Sequence, residues 1–201
     1  LCGGIYFGVK YRNYIGLRLE GTLGSVRGYD SILPPNDSQE RFLRNLSYRS
    51  KIVELSLIAE FHPIEAFTEN RDPLISPYLL GGIGFFHFNP QANLNGAWIN
   101  LQPLSTEGQG FAEYPDRKVY SLNQFNIPLG LGARYNISDL INVKLEFQYR
   151  FLFTDYLDDV STKYIDPALF SKYYSGADLQ NALLLNDRSK PGAQTAHIDG
   201  I

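Results

Sequence analysis

The chain has 201 residues, a formal net charge of −3 and a pI near 5.6, with 44% hydrophobic, 19% charged and 14% aromatic residues. That length suits one domain with a sizeable core. Fourteen Tyr and thirteen Phe favour strands, no basic run suggests a nucleic-acid partner, and the single Cys2 excludes an internal disulfide framework or a multi-cysteine zinc site.

Leu1 is not a start methionine, and no basic-then-apolar leader precedes it, so the sequence reads as a processed chain or a fragment. A lipobox reading of Leu1-Cys2 lacks the apolar residues that should precede the cysteine. The longest apolar stretch, Leu74 to Phe88, is shorter than the roughly 18–20 residues of a spanning helix and carries Pro77, Gly81, Gly82 and Gly84. No transmembrane helix is expected, but a tilted strand crosses a bilayer in about 9–11 residues.

The first expected strand, Gly4 to Arg12, alternates Ile5, Phe7, Val9 and Tyr11 with Tyr6, Gly8, Lys10 and Arg12. After a tight turn at Asn13, Ile15, Leu17, Leu19 and Leu23 alternate with Gly16, Arg18, Glu20, Thr22 and Gly24, which predicts a hairpin. A polar connection to about Arg49 leads to a third strand, with Val53, Leu55, Leu57, Ala59 and Phe61 opposite Glu54, Ser56 and Glu60; Ile58 is an apolar intruder on the polar face. The fourth strand, Tyr78 to Phe88, is apolar or Gly on both faces, so its orientation is left open by the pattern. A long loop from Asn89 to Ser121 carries Trp98. The fifth strand sets Phe125, Ile127, Leu129, Leu131, Ala133 and Tyr135 against Gln124, Asn126, Gly130, Gly132 and Arg134. The sixth, after a short turn over Asn136 to Leu140, sets Ile141, Val143, Leu145, Phe147, Tyr149 and Phe151 against Asn142, Lys144, Glu146, Gln148 and Arg150. From Thr154 onward the sequence reads as loop.

Connections of alternating length follow: short or middling at Asn13, at His62 to Ile75 and at Asn136 to Leu140; long over about 26–49, 89–121 and 154–201. In a meander one end of the sheet collects the tight turns and the other the long loops, the asymmetry of bacterial outer-membrane barrels. The apolar face is bulky and uncharged, whereas Lys10, Arg12, Arg18, Glu20, Glu54, Glu60, Arg134, Lys144, Glu146 and Arg150 with interspersed glycines suit a narrow lumen filled by paired charges. Tyr11, Tyr135, Phe61, Phe88 and Phe151 lie towards strand ends, as an interfacial girdle requires. The expected fold is all-β: one domain over residues 1–201, an antiparallel up-and-down transmembrane β-barrel. Six open strands would leave unpaired edges in lipid, so about six strands here imply eight in the full protein, one more on each side. Eight strands leave no water channel, which disfavours a diffusion porin.

Four runs are similar to a known family: Arg44-Asn45-Leu46-Ser47-Tyr48-Arg49-Ser50; Pro77 through Ala92 (PYLLGGIGFFHFNPQA); Thr106-Glu107-Gly108-Gln109-Gly110; and Thr154-Asp155-Tyr156-Leu157-Asp158-Asp159-Val160-Ser161. In this order they resemble the PorG-type outer-membrane barrels of Bacteroidota, across nearly the whole chain. The resemblance implies an eight-stranded barrel, truncated at both ends here. It also implies a component of the type IX protein secretion machinery that holds a periplasmic ring, a PorK-like lipoprotein with its PorN-like partner, to the outer membrane. The expected setting is therefore the bacterial outer membrane and its lipid.

Asp155, Asp158 and Asp159, with Thr154 and Ser161, are weak candidates for a hard cation, because the spacing lacks the Gly and bidentate Glu of a calcium loop. The plainer reading is a carboxylate cluster bonding loop backbone and nearby Arg or Lys. No nucleophile motif accompanies His62, His87 or His197, so neither catalysis nor a cofactor is expected. Gly81-Gly82-Ile83-Gly84 and Gly130-Leu131-Gly132 open no helix, so they read as barrel glycines rather than phosphate loops. The segment from Pro63 to Pro73 is longer than a minimal turn, and its Glu65, Phe67, Glu69 and Arg71 are candidates for docking the periplasmic lipoprotein. The rival reading is a small surface barrel of the adhesin or opacity type, binding partners through its long loops.

Overall fold

The computed structural model describes residues 2–30, 43, 45–68, 73–138 and 140–189. It contains strands β1 (Cys2–Tyr11), β2 (Ile15–Tyr29), β3 (Ser47–Phe61), β4 (Ile75–Leu94), β5 (Ala97–Asn100), β6 (Asn123–Asn136) and β7 (Asn142–Leu152). Helices α1 (Pro63–Phe67), α2 (Phe170–Tyr173) and α3 (Gly176–Asn186) are short. The strands form one sheet in the order β1-β2-β3-β4-β6-β7, with β5 paired to β4. Long strands that follow one another in sequence lie side by side, and the registers Tyr6↔Glu20, Leu80↔Gly130 and Gly132↔Glu146 are antiparallel. The fold is thus all-β and up-and-down, with the six long strands near their expected places.

Local chemistry explains the turns. Between β1 and β2, Arg12 and Asn13 both take positive φ, 50° and 64°. Asn is the non-glycine residue best suited to that region; Arg12, expected on the polar face of the first strand, sits in this turn instead. Between β4 and β5, Asn95 (φ 51°) and Gly96 (φ 89°) join Leu94 to Ala97, as an Asn-Gly pair does in a two-residue hairpin whose twist matches its strands.

The chain divides into two compact units. The first comprises Leu1–Gly24, Ile52–His87 and Asn123–Phe153. Its faces are inverted relative to a water-soluble sheet. Arg18, Glu54, Ser56, Glu60, Ser76, Asn126 and Arg134 are buried, whereas Phe7, Leu55, Leu79, Ile83, Leu131, Leu145 and Phe147 are exposed. Within this unit's segments of the six strands, 2–11, 15–24, 52–61, 75–87, 123–136 and 142–152, the outward positions carry no Asp, Glu, Lys or Arg among the described residues. The polar face is concave: Arg18 on β2 reaches Glu146 on β7, four places away in the sheet order, at 2.6 Å.

The structure supplies the orientation of β4 that its pattern left open. Tyr78, Leu80 and Phe86 point to the concave side, while Leu79, Ile83 and Phe85 point outward. Tyr78 and Leu80 pack against Ile58, so the apolar intruder of β3 has partners on the concave face. Gly82 is required by close approach, because a Cβ there would stand 2.2 Å from the Leu57 carbonyl oxygen.

The second unit comprises Ser25–Lys51, Phe88–Leu122 and Thr154–Ile201. Much of it was expected to be loop, yet β2 continues to Tyr29, β4 continues to Leu94, β5 pairs with it, and α2 and α3 lie in the segment after Thr154. A second core explains the difference. Ala92, Leu101, Leu104, Phe111, Ile165, Phe170, Ala182 and Leu185 are all buried together, and Phe111 stacks on Tyr173 with ring centres 3.8 Å apart. Phe88 belongs to this unit, fully buried and stacked on Tyr120, which corrects its expected place in the girdle. It has the even register of β4, which the unassigned pattern could not give. Tyr11, Phe61, Tyr135 and Phe151 are exposed, as a girdle would need.

Candidate functional site: the buried charge network and the turn end

The concave face of the first unit holds a charge-balanced network. Five cations (Lys10, Arg18, Arg134, Lys144, Arg150) and five carboxylates (Glu20, Glu54, Glu60, Glu65, Glu146) lie on its inward strand positions or on α1 among the described residues. Arg18 is the hub. Its guanidinium donates to Glu60 at 2.7 Å and forks onto both oxygens of Glu146 at 2.6 and 2.7 Å, with Glu20 at 3.1 Å. Lys144 donates to both oxygens of Glu60 at 2.9 and 3.0 Å, and Arg150 to both of Glu54 at 3.0 and 2.8 Å. Tyr78 adds a hydroxyl on Glu146 at 2.5 Å. The charges buried here are tolerated because Arg18, Arg134, Lys144 and Arg150 meet carboxylates in good geometry, whereas Lys10 is exposed.

At the turn end, α1 folds back towards this network. Pro63 opens the helix, where its missing N–H costs nothing, and the turn carries Glu65 inward. Glu65 Oε1 accepts from Ser76 at 2.5 Å and from Arg134 at 3.1 Å. Glu65 is only 6% exposed. Its candidacy as a surface contact is therefore corrected: Glu65 is turned inside and held through Oε1 by Ser76 and Arg134, while its Oε2 is buried without a partner among the described residues. Phe67 is 81% exposed and packs edge-on to Phe61. Glu69 and Arg71 lie outside the described residues. On the neighbouring hairpin Leu140 is 93% exposed, and Asn136 holds that turn to the end of the previous connection through the Pro73 carbonyl at 3.0 Å.

The same end contains a constellation that no sequence spacing revealed. His62 Nδ1 lies 2.8 Å from Ser76 Oγ, and its Nε2 lies 3.3 Å from Glu60 Oε2. The residue types match a hydrolytic triad, but Ser76 and His62 are fully buried and the serine proton is committed to Glu65. A nucleophile needs an accessible hydroxyl whose proton goes to the imidazole. His62, Ser76, Glu60 and Glu65 thus form a buried polar cluster in which the serine hydroxyl is not accessible. His87, at the far end of β4's share of this unit, meets Asn123 at 2.9 Å, and His197 lies outside the described residues.

In the second unit, the three candidate aspartates turn to protein partners. Asp159, 2% exposed, accepts from Thr106 at 2.6 Å and from the Tyr120 hydroxyl. Asp158 accepts from the Val160 amide at 3.4 Å, and Asp155 from the Ser161 hydroxyl at 3.4 Å. Among the described residues no group of three or more His, Cys, Asp or Glu is placed to hold a metal ion. Glu107 caps the chain around Ser161 and Thr162, accepting from both amides and from the Thr162 hydroxyl at 2.8 Å. Arg117 then bonds the carbonyls of Glu107 and Lys163 at 2.7 and 2.9 Å. The runs at 106–110 and 154–161, far apart in sequence, thus lock together.

The buried carboxyls of this lock make a pH dependence the expected result. Burial pushes the Asp159 carboxyl up from 3.8 to about 7, against the downward pull of Thr106 and Tyr120, and the Glu107 charge adds to the rise. Burial raises Glu107 as well, opposed by its bonds from Thr162 and Ser161. A carboxyl whose folded value is raised takes up its proton in the folded state first, so stability is gained as pH falls from about 7 towards 4 and lost as pH rises through that window. The second unit is expected to be more protected from amide exchange at pH 5 than at pH 8, by about 3 kcal/mol from Asp159, with Asp159→Asn flattening the difference. Equal protection at both pH values would refute it.

An antiparallel up-and-down sheet with a charge-paired concave face and an apolar convex face defines the class to which this chain belongs. Within that class, the chain belongs to the DUF6089 family, a domain of unknown function, whose profile matches residues 26–166. All four runs quoted above fall inside that match. No curated protein and no solved structure matches the chain.

Proposed function

We propose that this protein is a non-enzymatic outer-membrane β-barrel of the type IX protein secretion machinery that anchors a periplasmic ring lipoprotein to the outer membrane. The observation that carries the membrane reading is the convex face of the first unit: exposed Ile, Leu, Val, Phe and Tyr on the outward positions of its strand segments, with no Asp, Glu, Lys or Arg there among the described residues. Water would not tolerate so large an apolar face, whereas lipid requires it. The sheet path begins at β1 and ends at β7, and unpaired backbone at such edges costs several kcal/mol each in hydrocarbon. We infer closure by two further strands into an eight-stranded barrel with the tight turns in the periplasm.

The anchoring reading rests on the four runs that resemble PorG-type barrels and on the exposed turn end. Phe67 and Leu140 are more exposed than any other large hydrophobic side chain described, and both lie past the girdle residues Phe61 and Tyr135, where headgroups and water replace hydrocarbon. Apolar tips in that zone suit a protein partner. In a pull-down from detergent-solubilised membranes, the protein is expected to retain the ring lipoprotein, and Phe67→Ser with Leu140→Ser to reduce retention about tenfold, roughly 1.4 kcal/mol. No ring lipoprotein with the unaltered protein would sink the anchor; full retention by the double variant would sink this docking surface. The adhesin or opacity reading draws on the second unit, whose packed core gives it a fixed surface rather than loose loops; binding to whole cells without any ring partner would favour it.

A further inference from the structure

The β4–β5 hairpin of the second unit has two unlike faces. One, through Ala92, Leu94 and Ile99, joins the buried core of that unit. The other carries Asn89, Gln91 and Asn93 on β4 and, in register with the last two, Asn100 and Trp98 on β5. Arg49 of β3 lies over the Trp98 ring at 4.0 Å and donates to Gln91 at 2.6 Å. On the outward side of β4, apolar residues run to Phe85 and carboxamides begin at Asn89.

Four carboxamides on one face of a hairpin, three along β4 and one opposite on β5, are unusual for a solvated face, which ordinarily carries Lys and Glu. Their wiring is directional. Asn100 Oδ1 accepts from Gln91 Nε2 at 2.7 Å and from Asn89 Nδ2 at 3.2 Å, and Asn93 Oδ1 accepts from the Gly96 amide at 3.1 Å. The oxygens of Gln91, Asn93 and Asn100 are thus engaged and that of Asn89 is buried without a partner, while the amide nitrogens of Asn93 and Asn100 have no bond within the described residues. Fixed N–H donors flank a half-buried indole whose orientation Arg49 locks, and no carboxylate is present on the strip. Alternate β4 residues are about 7 Å apart, so the amides from Asn89 to Asn93 span about 14 Å. Planar amides that meet hydroxyl oxygens, beside an aromatic ring that covers C–H faces, are the chemistry that recognises a sugar chain. A peptide adding as a strand would use the backbone edge of β5, which pairs only with β4 among the described residues, rather than this face of side chains, and a polyanion would call for more than one cation.

We propose that this strip, Arg49, Asn89, Gln91, Asn93, Trp98 and Asn100, is a binding site for an uncharged, hydroxyl-rich oligosaccharide. It does not depend on the secretion reading, since a failed ring pull-down leaves it untouched. Trp98 is the only tryptophan in the chain, so its emission reports on this strip alone. The test titrates the full protein in detergent with maltohexaose, cellohexaose and mannohexaose, with dextran sulfate as the polyanion control. A saturable change in Trp98 emission is expected with at least one neutral sugar, with affinity reduced tenfold or more in Asn93→Leu/Asn100→Leu. A response to dextran sulfate alone would assign the strip to Arg49 electrostatics and overturn the proposal. So would no saturable response to any of the three sugars, or an undiminished response in a double variant whose far-UV spectrum is unchanged. If that variant does not fold, Asn100→Asp replaces it: a carboxylate there removes both donor hydrogens, and unaltered affinity overturns the site.

Discussion

Arg18→Met is expected to lower the stability of the first unit by about 3–5 kcal/mol, the cost of breaking a buried ion pair from one side. Methionine is flexible and of similar volume to arginine, so the loss is of charge and hydrogen bonds more than of volume. It leaves Glu146 with only the Tyr78 hydroxyl and the Gln148 amide, and Glu60 with Lys144 and His62. Adding Glu146→Gln should recover a substantial part of the loss, because it removes the stranded charge rather than restoring its partner. Denaturant midpoints in detergent, followed by far-UV circular dichroism or by the mobility of the folded band, measure both. A loss below about 1 kcal/mol would mean that solvent reaches the hub and that the network is a surface feature.

Leu129→Arg tests the opposite face. Leu129 sits near the middle of β6, points outward, and pairs with Gly81 on one side and Tyr149 on the other. In lipid, an arginine at the midplane of a barrel strand costs about 2–4 kcal/mol, falling to about 0–1 near the interface. Leu129→Arg should therefore destabilise the protein folded into vesicles by the larger amount and Tyr135→Arg, at the strand end, by the smaller. If water bathed this face, both changes would fall within about ±0.5 kcal/mol. The depth dependence is the discriminating result, and equal costs at the two positions would count against a bilayer.

The two faces explain how much of the fold could be read from residue order. Alternation along β2, β3, β6 and β7 separates Arg18, Glu54, Glu60 and Glu146 from Leu17, Leu55, Leu129 and Phe147, because a strand turns successive side chains to opposite sides. The hairpin at Asn95-Gly96 was also legible, since that dipeptide favours the positive φ of a two-residue turn, but the loop expected over 89–121 concealed it. Ser175 followed by Asp178 ahead of Leu179, Ala182, Leu183 and Leu185 likewise carries a helix start that a reading of the tail as loop passed over.

The sequence by itself thus determined the strands, their faces and the turn chemistry, because these depend on neighbours two to four residues apart. Only the tertiary structure decided which way β4 faces, since glycines and aromatics on both its sides carry no polarity difference; its direction comes from Ile58 across the sheet. Tertiary contact likewise turned Glu65 inward to Arg134, brought Ser76 to His62, and joined Thr106 to Asp159. Each of these is a pairing of buried polar groups, and a buried group takes whichever partner the fold delivers, however distant in sequence.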